Sequence, residues 1–289
     1  MTQPTPHLDI VAHGLHLPEC PRWHDGRLWF SDIRGHLVCR LDDDRTTIIH
    51  RFPEDEEPAG LGWLPNGELL VVGMTGRVVY RVADESAVVH ADLKPLAPYH
   101  VNDMVVVADG TAFVTQTGFD LDAAQPNPQP TAVIRVDPDG TTRTAARELL
   151  VPNGIAVNSA EDTLVVAESG AARLSAYTLR EGVLADRSLE ALPASADFSF
   201  CAPDGLCLDE KGGRWVADSI NKRIFRVEGG VITDEHRLGQ FTLACALGDD
   251  DRRSLYVCVT DVWHRTDIRD EPTGRIVRIR VDIPGTGRP

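Results

Sequence analysis

One pattern recurs six times along this chain: a short apolar run, a polar turn with Gly or Asp, a strand-like segment, a second break and another strand. The clearest copies are DGRLWFSDIRGHLVCRLD from Asp25, NGELLVVGMTGRVVYRVA from Asn66 and GGRWVADSINKRIFRVEGG from Gly212. Three further copies are stretched by insertions. With Leu28, Leu69, Ala112, Leu164, Trp215 and Leu255 as reference positions, the steps are 41, 43, 52, 51 and 40 residues. The segments are rich in Val, Ile, Leu, Phe, Tyr and Trp, end in Gly, Asn or Asp, and show no helical period over a dozen residues. A period of about 40 to 50 residues with paired strands is the signature of a β-propeller, in which each four-stranded blade covers the faces of its neighbours. The expectation is an all-β, six-bladed β-propeller; a β-sandwich with coincidental spacing is the alternative.

The 289 residues alone would admit two domains, but the repeat runs throughout and predicts one propeller domain over 1–289. Ring closure is expected from a strand at about 7–15 (HLDIVAHGL) added to the last blade, because an edge left unpaired there invites aggregation.

Lys and Arg number 29 against 44 Asp and Glu, a net charge of -15, which repels phosphate backbones and anionic lipid. The partner expected is a small-molecule substrate, not nucleic acid or membrane, and the chain is expected to be a monomer or weak homo-oligomer. No apolar run approaches the roughly 20 residues of a membrane span, and the N-terminus lacks a basic segment followed by an apolar one, so the expected location is cytoplasmic. Six cysteines with no CxxC pair, most of them in apolar runs, read as buried thiols.

The start of each blade's innermost strand should face one end of the central channel. The comparable positions are Glu19 (LPECPRW), Ala59 (PAGLGWL), Asn102 (HVNDMVV), Asn153 (VPNGIAV), Asp204 (APDGLCL) and about Ala244 (TLACAL). Four of the six carry a carboxylate or carboxamide at one blade phase. Taken singly, Asn-Gly and Asp-Gly are turn dipeptides; in register they suit a hard divalent cation, most simply Ca²⁺, with Mg²⁺, Mn²⁺ and Zn²⁺ compatible.

The motifs E-x-P-x-W (Glu19, Pro21, Trp23), N-D (Asn102, Asp103), P-N-G (Pro152, Asn153, Gly154) and P-D-G (Pro203, Asp204, Gly205) resemble the SMP-30/gluconolactonase/LRE family over essentially the full chain. The resemblance implies a six-bladed propeller with one divalent cation that hydrolyses lactones. It implies that Glu19, Asn153 and Asp204 hold the metal, that Asn102 binds substrate or a water beside it, and that Asp204 is the general base. Family members that act on aldonolactones carry Arg two residues before the Asn of N-D; here His100 stands there. His100 and the aromatics Tyr99, Phe119, Phe198, Phe200 and Trp263, all on loops at this end, favour a less polar lactone.

Asp103, adjacent to Asn102 on an alternating strand, should point away and accept loop amides. Asp32, Glu168 and Asp218 occupy one phase in three blades and read as structural acceptors of turn N–H groups, with Asp218 also near enough to support the site. EDEEP at 54–58 reads as a solvated loop, and DLDAAQPNPQP at 120–130 as a lid or crossing loop over the mouth. The motifs of serine esterases, nucleotide binders and zincins are absent. The enzyme reading is therefore a metal-dependent lactonase. A related esterase, phosphotriesterase or lactone-rearranging enzyme, and a binding propeller with a structural ion, are the alternatives.

Overall fold

The computed structural model describes residues 8–43, 45–83, 86–194, 200–262 and 272–287. Among the described residues there are 24 strands and no helix, so no helix long and apolar enough to cross a membrane. The strands form six antiparallel four-stranded sheets, the blades of a six-bladed propeller. Five blades take four strands consecutive in sequence. The sixth joins Phe241–Gly248, Ser254–Thr260 and Gly274–Arg280 to the N-terminal strand Asp9–Leu15, paired from Asp9↔Arg278 to Leu15↔Gly274.

Burial is least in the outermost strands. Second strands such as Leu69–Gly73 and Ser254–Thr260 are buried at every residue, because neighbouring blades cover both of their faces. Outermost strands such as Val183–Ala191 have no fully buried residue. The core lies between blades: Val38 and Phe52 of the first pack with Leu61, Leu69 and Val71 of the second. Each such side chain contributes roughly 1.5–3 kcal/mol by leaving water.

The inner strands are Pro18–His24, Pro58–Trp63, Val101–Val106, Pro152–Val157, Pro203–Leu208 and Phe241–Gly248. Each slips register near its start, within Glu19/Arg22, Pro58/Leu61, Val101/Met104, Pro152/Ile155, Pro203/Leu206 and Thr242/Ala244. A β-bulge re-aims the side chain it contains, and all six bulges lie at one end of the channel. The Asn-Gly and Asp-Gly pairs are thus bulge residues inside strands, not turns. Their glycines are set by close approach: a Cβ on Gly60 would stand 2.4 Å from the Met104 nitrogen, and one on Gly154 2.5 Å from the Asp204 carbonyl oxygen.

The acids ending the second strands are structural. Asp32 accepts the amides of His16 (3.0 Å) and Leu17 (2.7 Å), Glu168 that of Leu150 (2.8 Å) and Asp218 that of Ala202 (3.1 Å). Blade two has Gly73 at this phase, and the Glu56 carboxylate fills the space, 2.6 Å from where a Gly73 Cβ would stand. This corrects the solvated reading of EDEEP. Glu56 accepts from the Tyr80 hydroxyl (2.8 Å) and the Gly76 amide (3.1 Å), Glu57 pairs with Arg34, and both acids are buried.

Candidate functional site

Glu19, Asn102, Asn153 and Asp204 come together where the bulged ends of four inner strands meet the channel. Asn102 Nδ2 donates to Asn153 Oδ1 at 2.7 Å, and the Asn153 side chain also bonds Asp204. Glu19 lies within the field of Asp204 and accepts the Cys20 amide at 3.2 Å. Blades two and six place apolar residues at this level, Ala59 and the pair Leu243 and Ala244, all buried. Asn102, Asn153 and Asp204 therefore sit on three consecutive blades, while Glu19 stands on blade one between the two apolar ones.

The electrostatics separate these acids from the structural ones. Burial pushes Glu19 well above the ordinary carboxylate range, and the charge of Asp204 adds to it. Asp204, 7% exposed, is pushed up to about 8 by burial and by Asp103, against the hydrogen bond from Asn153. Glu168 is also buried, yet hydrogen bonds from Arg173, Ser175 and the Leu150 amide hold it below the usual range. Two desolvated carboxylates within each other's field, only partly offset by Arg22 at Glu19, carry a repulsion that a cation would relieve.

Arg22 was not foreseen from the sequence and explains why side chains relieve it so little. Its Nη2 donates to Asp103 Oδ1 at 2.6 Å and to the Met104 carbonyl at 2.7 Å, and its Nη1 to the Pro21 carbonyl at 3.0 Å. Asp103 also accepts the amides of Met104 (2.8 Å) and Ile155 (3.4 Å). It caps strand amides freed by the bulges, not the loop amides expected, and its charge still raises Asp204 and Glu19. Arg22 is thus bonded to Asp103, and its charge offsets Glu19 only weakly and adds nothing at Asp204. The signal was present in the sequence: Arg22 is the sole Arg or Lys on the six inner strands.

The quartet fits a hard cation by its donor chemistry, two carboxylates and two amide oxygens without imidazole or thiolate. Among the described residues no three His, Cys, Asp or Glu cluster to hold a metal, so the amide oxygens are essential to such a set. Asp218 stays outside the quartet, fully buried and bonded to Arg223 (2.9 Å) and Asn221 (2.7 Å), although its charge still raises Asp204. Ser169, a nucleophile candidate in other settings, donates to the Pro203 carbonyl at 2.5 Å and ties blade four to blade five.

The rim of this end carries the other predicted residues. His100 precedes the third inner strand, with Nε2 3.8 Å from Asp122 Oδ2, and its carbonyl accepts the Thr117 amide at 2.9 Å. Tyr99 is 40% and Phe200 41% exposed, while Phe119 is half-buried. The insertion at 120–130 leaves the second strand of blade three at this same end. It is pinned by Gln129 N to the Gly118 carbonyl at 3.1 Å and by Leu121 against the core. Phe198 and Trp263 lie outside the described residues.

Known proteins share this architecture. The pentonolactonase XacC of Haloferax volcanii is 28% identical over 300 aligned residues, covering 97% of this chain and 95% of its own. The crystal structure of a calcium-binding protein, regucalcin, from Agrobacterium tumefaciens superposes with a TM-score of 0.79 at 17% identity, covering 99% of each chain. A gluconolactonase from Xanthomonas campestris superposes with a TM-score of 0.73 at 21% identity, over 95% of this chain and 89% of that one. These two likenesses speak for the fold. Residues 17–261, from the turn before Glu19 to the end of the last blade's second strand, match the SMP-30/Gluconolactonase/LRE-like region, and the chain belongs to that family.

Proposed function

We propose that the protein is a lactonase that opens a lactone ring with the help of one divalent cation, calcium foremost, held by Glu19, Asn153 and Asp204. The observation that carries this reading is the pair of desolvated carboxylates, Glu19 and Asp204, at the channel mouth beside two carboxamides, with Arg22 engaged elsewhere. The names of the similar proteins, a pentonolactonase, a gluconolactonase and a calcium-binding regucalcin, support it.

When bound, the cation supplies Lewis-acid polarisation of the lactone carbonyl, typically several kcal/mol of transition-state stabilisation. Asp204 takes a proton from the attacking water and returns it to the ring oxygen as the C–O bond breaks, a transfer worth about 10² to 10⁴-fold. Asn102, its amide anchored on Asn153, orients the ester or the water without adding charge. Glu19 supplies the second negative charge, so the loaded site accepts a neutral or singly anionic substrate.

Around it, His100, Tyr99 and Phe119 form the substrate wall, and the insertion at 120–130 serves as its cover. This wall favours a less polar lactone over an aldonolactone. Free thiols at all six cysteines suit a reducing compartment, and we place the protein in the cytoplasm.

Proton release measured on aldono-, γ-alkyl and aromatic lactones, with and without chelator, tests this. Turnover that disappears with chelator and returns with Ca²⁺ is expected; silence on the whole panel with metal bound would move the protein to the class of binding propellers.

A further inference from the structure

Deeper in the channel, two thiols from neighbouring blades face each other. Cys207 lies on the inner strand of blade five and Cys245 on that of blade six, with their sulfurs 3.6 Å apart. Of the six cysteines Cys207 alone is not fully buried. Both line a cavity of about 20 Å³ bordered by Arg22, Trp23 and the tail residues Gly285 and Thr286, large enough for one water-sized molecule. A disulfide needs its sulfurs at about 2.05 Å, so the two must approach by roughly 1.5 Å to bond. None of the roles assigned above uses these thiols.

We propose that Cys207 and Cys245 are a peroxide-responsive dithiol that closes into a disulfide between blades five and six. The Cys207 thiolate attacks one peroxide oxygen. The O–O bond breaks, leaving a sulfenic acid on Cys207 and a hydroxide that takes up the thiol proton as water. Cys245 sulfur then attacks the Cys207 sulfur, the S–O bond breaks, and a second water leaves with the Cys245 proton. Peroxide is reduced by two electrons and the two thiols are oxidised by two. Cys207 goes first because it is the less buried partner. Burial and the neighbouring thiol hold its acidity down, against the nearby charge of Arg22, so closure follows sustained peroxide and not a brief pulse.

The test uses the full chain, reduced and then held in a modest excess of hydrogen peroxide without denaturant. It is next alkylated in denaturant and mapped by mass spectrometry. The expected product has lost about 2 Da, carries a Cys207–Cys245 cross-link reversed by dithiothreitol, and has its other four cysteines alkylated. In Cys245→Ser, Cys207 should instead accumulate as a sulfenic acid captured by dimedone; in Cys207→Ser, Cys245 should remain a thiol. Should either variant fail to fold, the cross-link map of the unaltered chain decides alone. Retention of every thiol, stepwise oxygen gain on Cys207 without cross-linking, or bonds between other cysteines or between chains would overturn the proposal.

Discussion

Asp204 and Glu168 are both buried acids, yet their surroundings drive their protonation in opposite directions. Glu168 has Arg173 and Arg187 within 2.8 Å and stays ionised, whereas Asp204 has only Asn153 and other acids near it. Replacing Asp204 by Asn keeps one ligand oxygen and removes the proton acceptor. Turnover should fall by about 10² to 10⁴-fold, while calorimetry still detects cation binding; full activity in that variant would remove Asp204 as the base. Arg22 permits a sharper experiment. Arg22→Met leaves Asp103 buried without its counter-charge and should cost about 3–5 kcal/mol in denaturant unfolding. Adding Asp103→Asn should recover much of that loss, and simple additivity of the two would show that the pair is not coupled. His100→Arg should raise the rate on sugar lactones relative to aromatic ones if this side chain sets substrate choice.

The elements were legible to different depths. Strand positions and blade count followed from the spacing, because each strand's burial depends on its radial place in a repeating unit. The bulges were not legible as such: Pro152-Asn153-Gly154 looks like a turn until Gly154 is seen against the backbone of the next blade. The same approach makes Gly60 a test of how blades mesh. Gly60→Ala would drive a methyl into the Met104 amide and should lower stability by about 1–3 kcal/mol, measurable as a shifted urea midpoint. EDEEP misled because four consecutive acidic residues read as solvated, while the side chains of Glu56 and Glu57 serve a vacancy at Gly73 and a partner at Arg34 that only the fold supplies. Arg22 was missed for a related reason: its significance is the absence of any other Arg or Lys from the inner strands, a property of six strands together.

For the whole molecule, the quartet couples folding to pH and to cation. Asp204 has a folded pKa of about 8 against an ordinary 3.8, so without metal the native state holds a proton that the unfolded chain releases. Its contribution to stability is fully present below about pH 4 and is lost as pH rises toward about 8, and Glu19 shifts in the same direction. In chelator, scanning calorimetry should show Tm falling across that interval, with the gain in Tm on adding Ca²⁺ growing over the same range. A gain independent of pH would contradict the assignment of these two acids to the cation. The closing pair of strands has a separate implication for biosynthesis. Asp9 and its partner Arg278 are 269 residues apart, and at about 5–20 residues per second the ribosome finishes the second long after the first has emerged. Through that interval Val11, Ala12 and Leu15, all buried in the finished ring, lack their sixth-blade neighbours and can pack only on Leu28, Phe30, Cys39 and Leu41 of the first blade, so the ring closes only once the strand Gly274–Arg280 has been made.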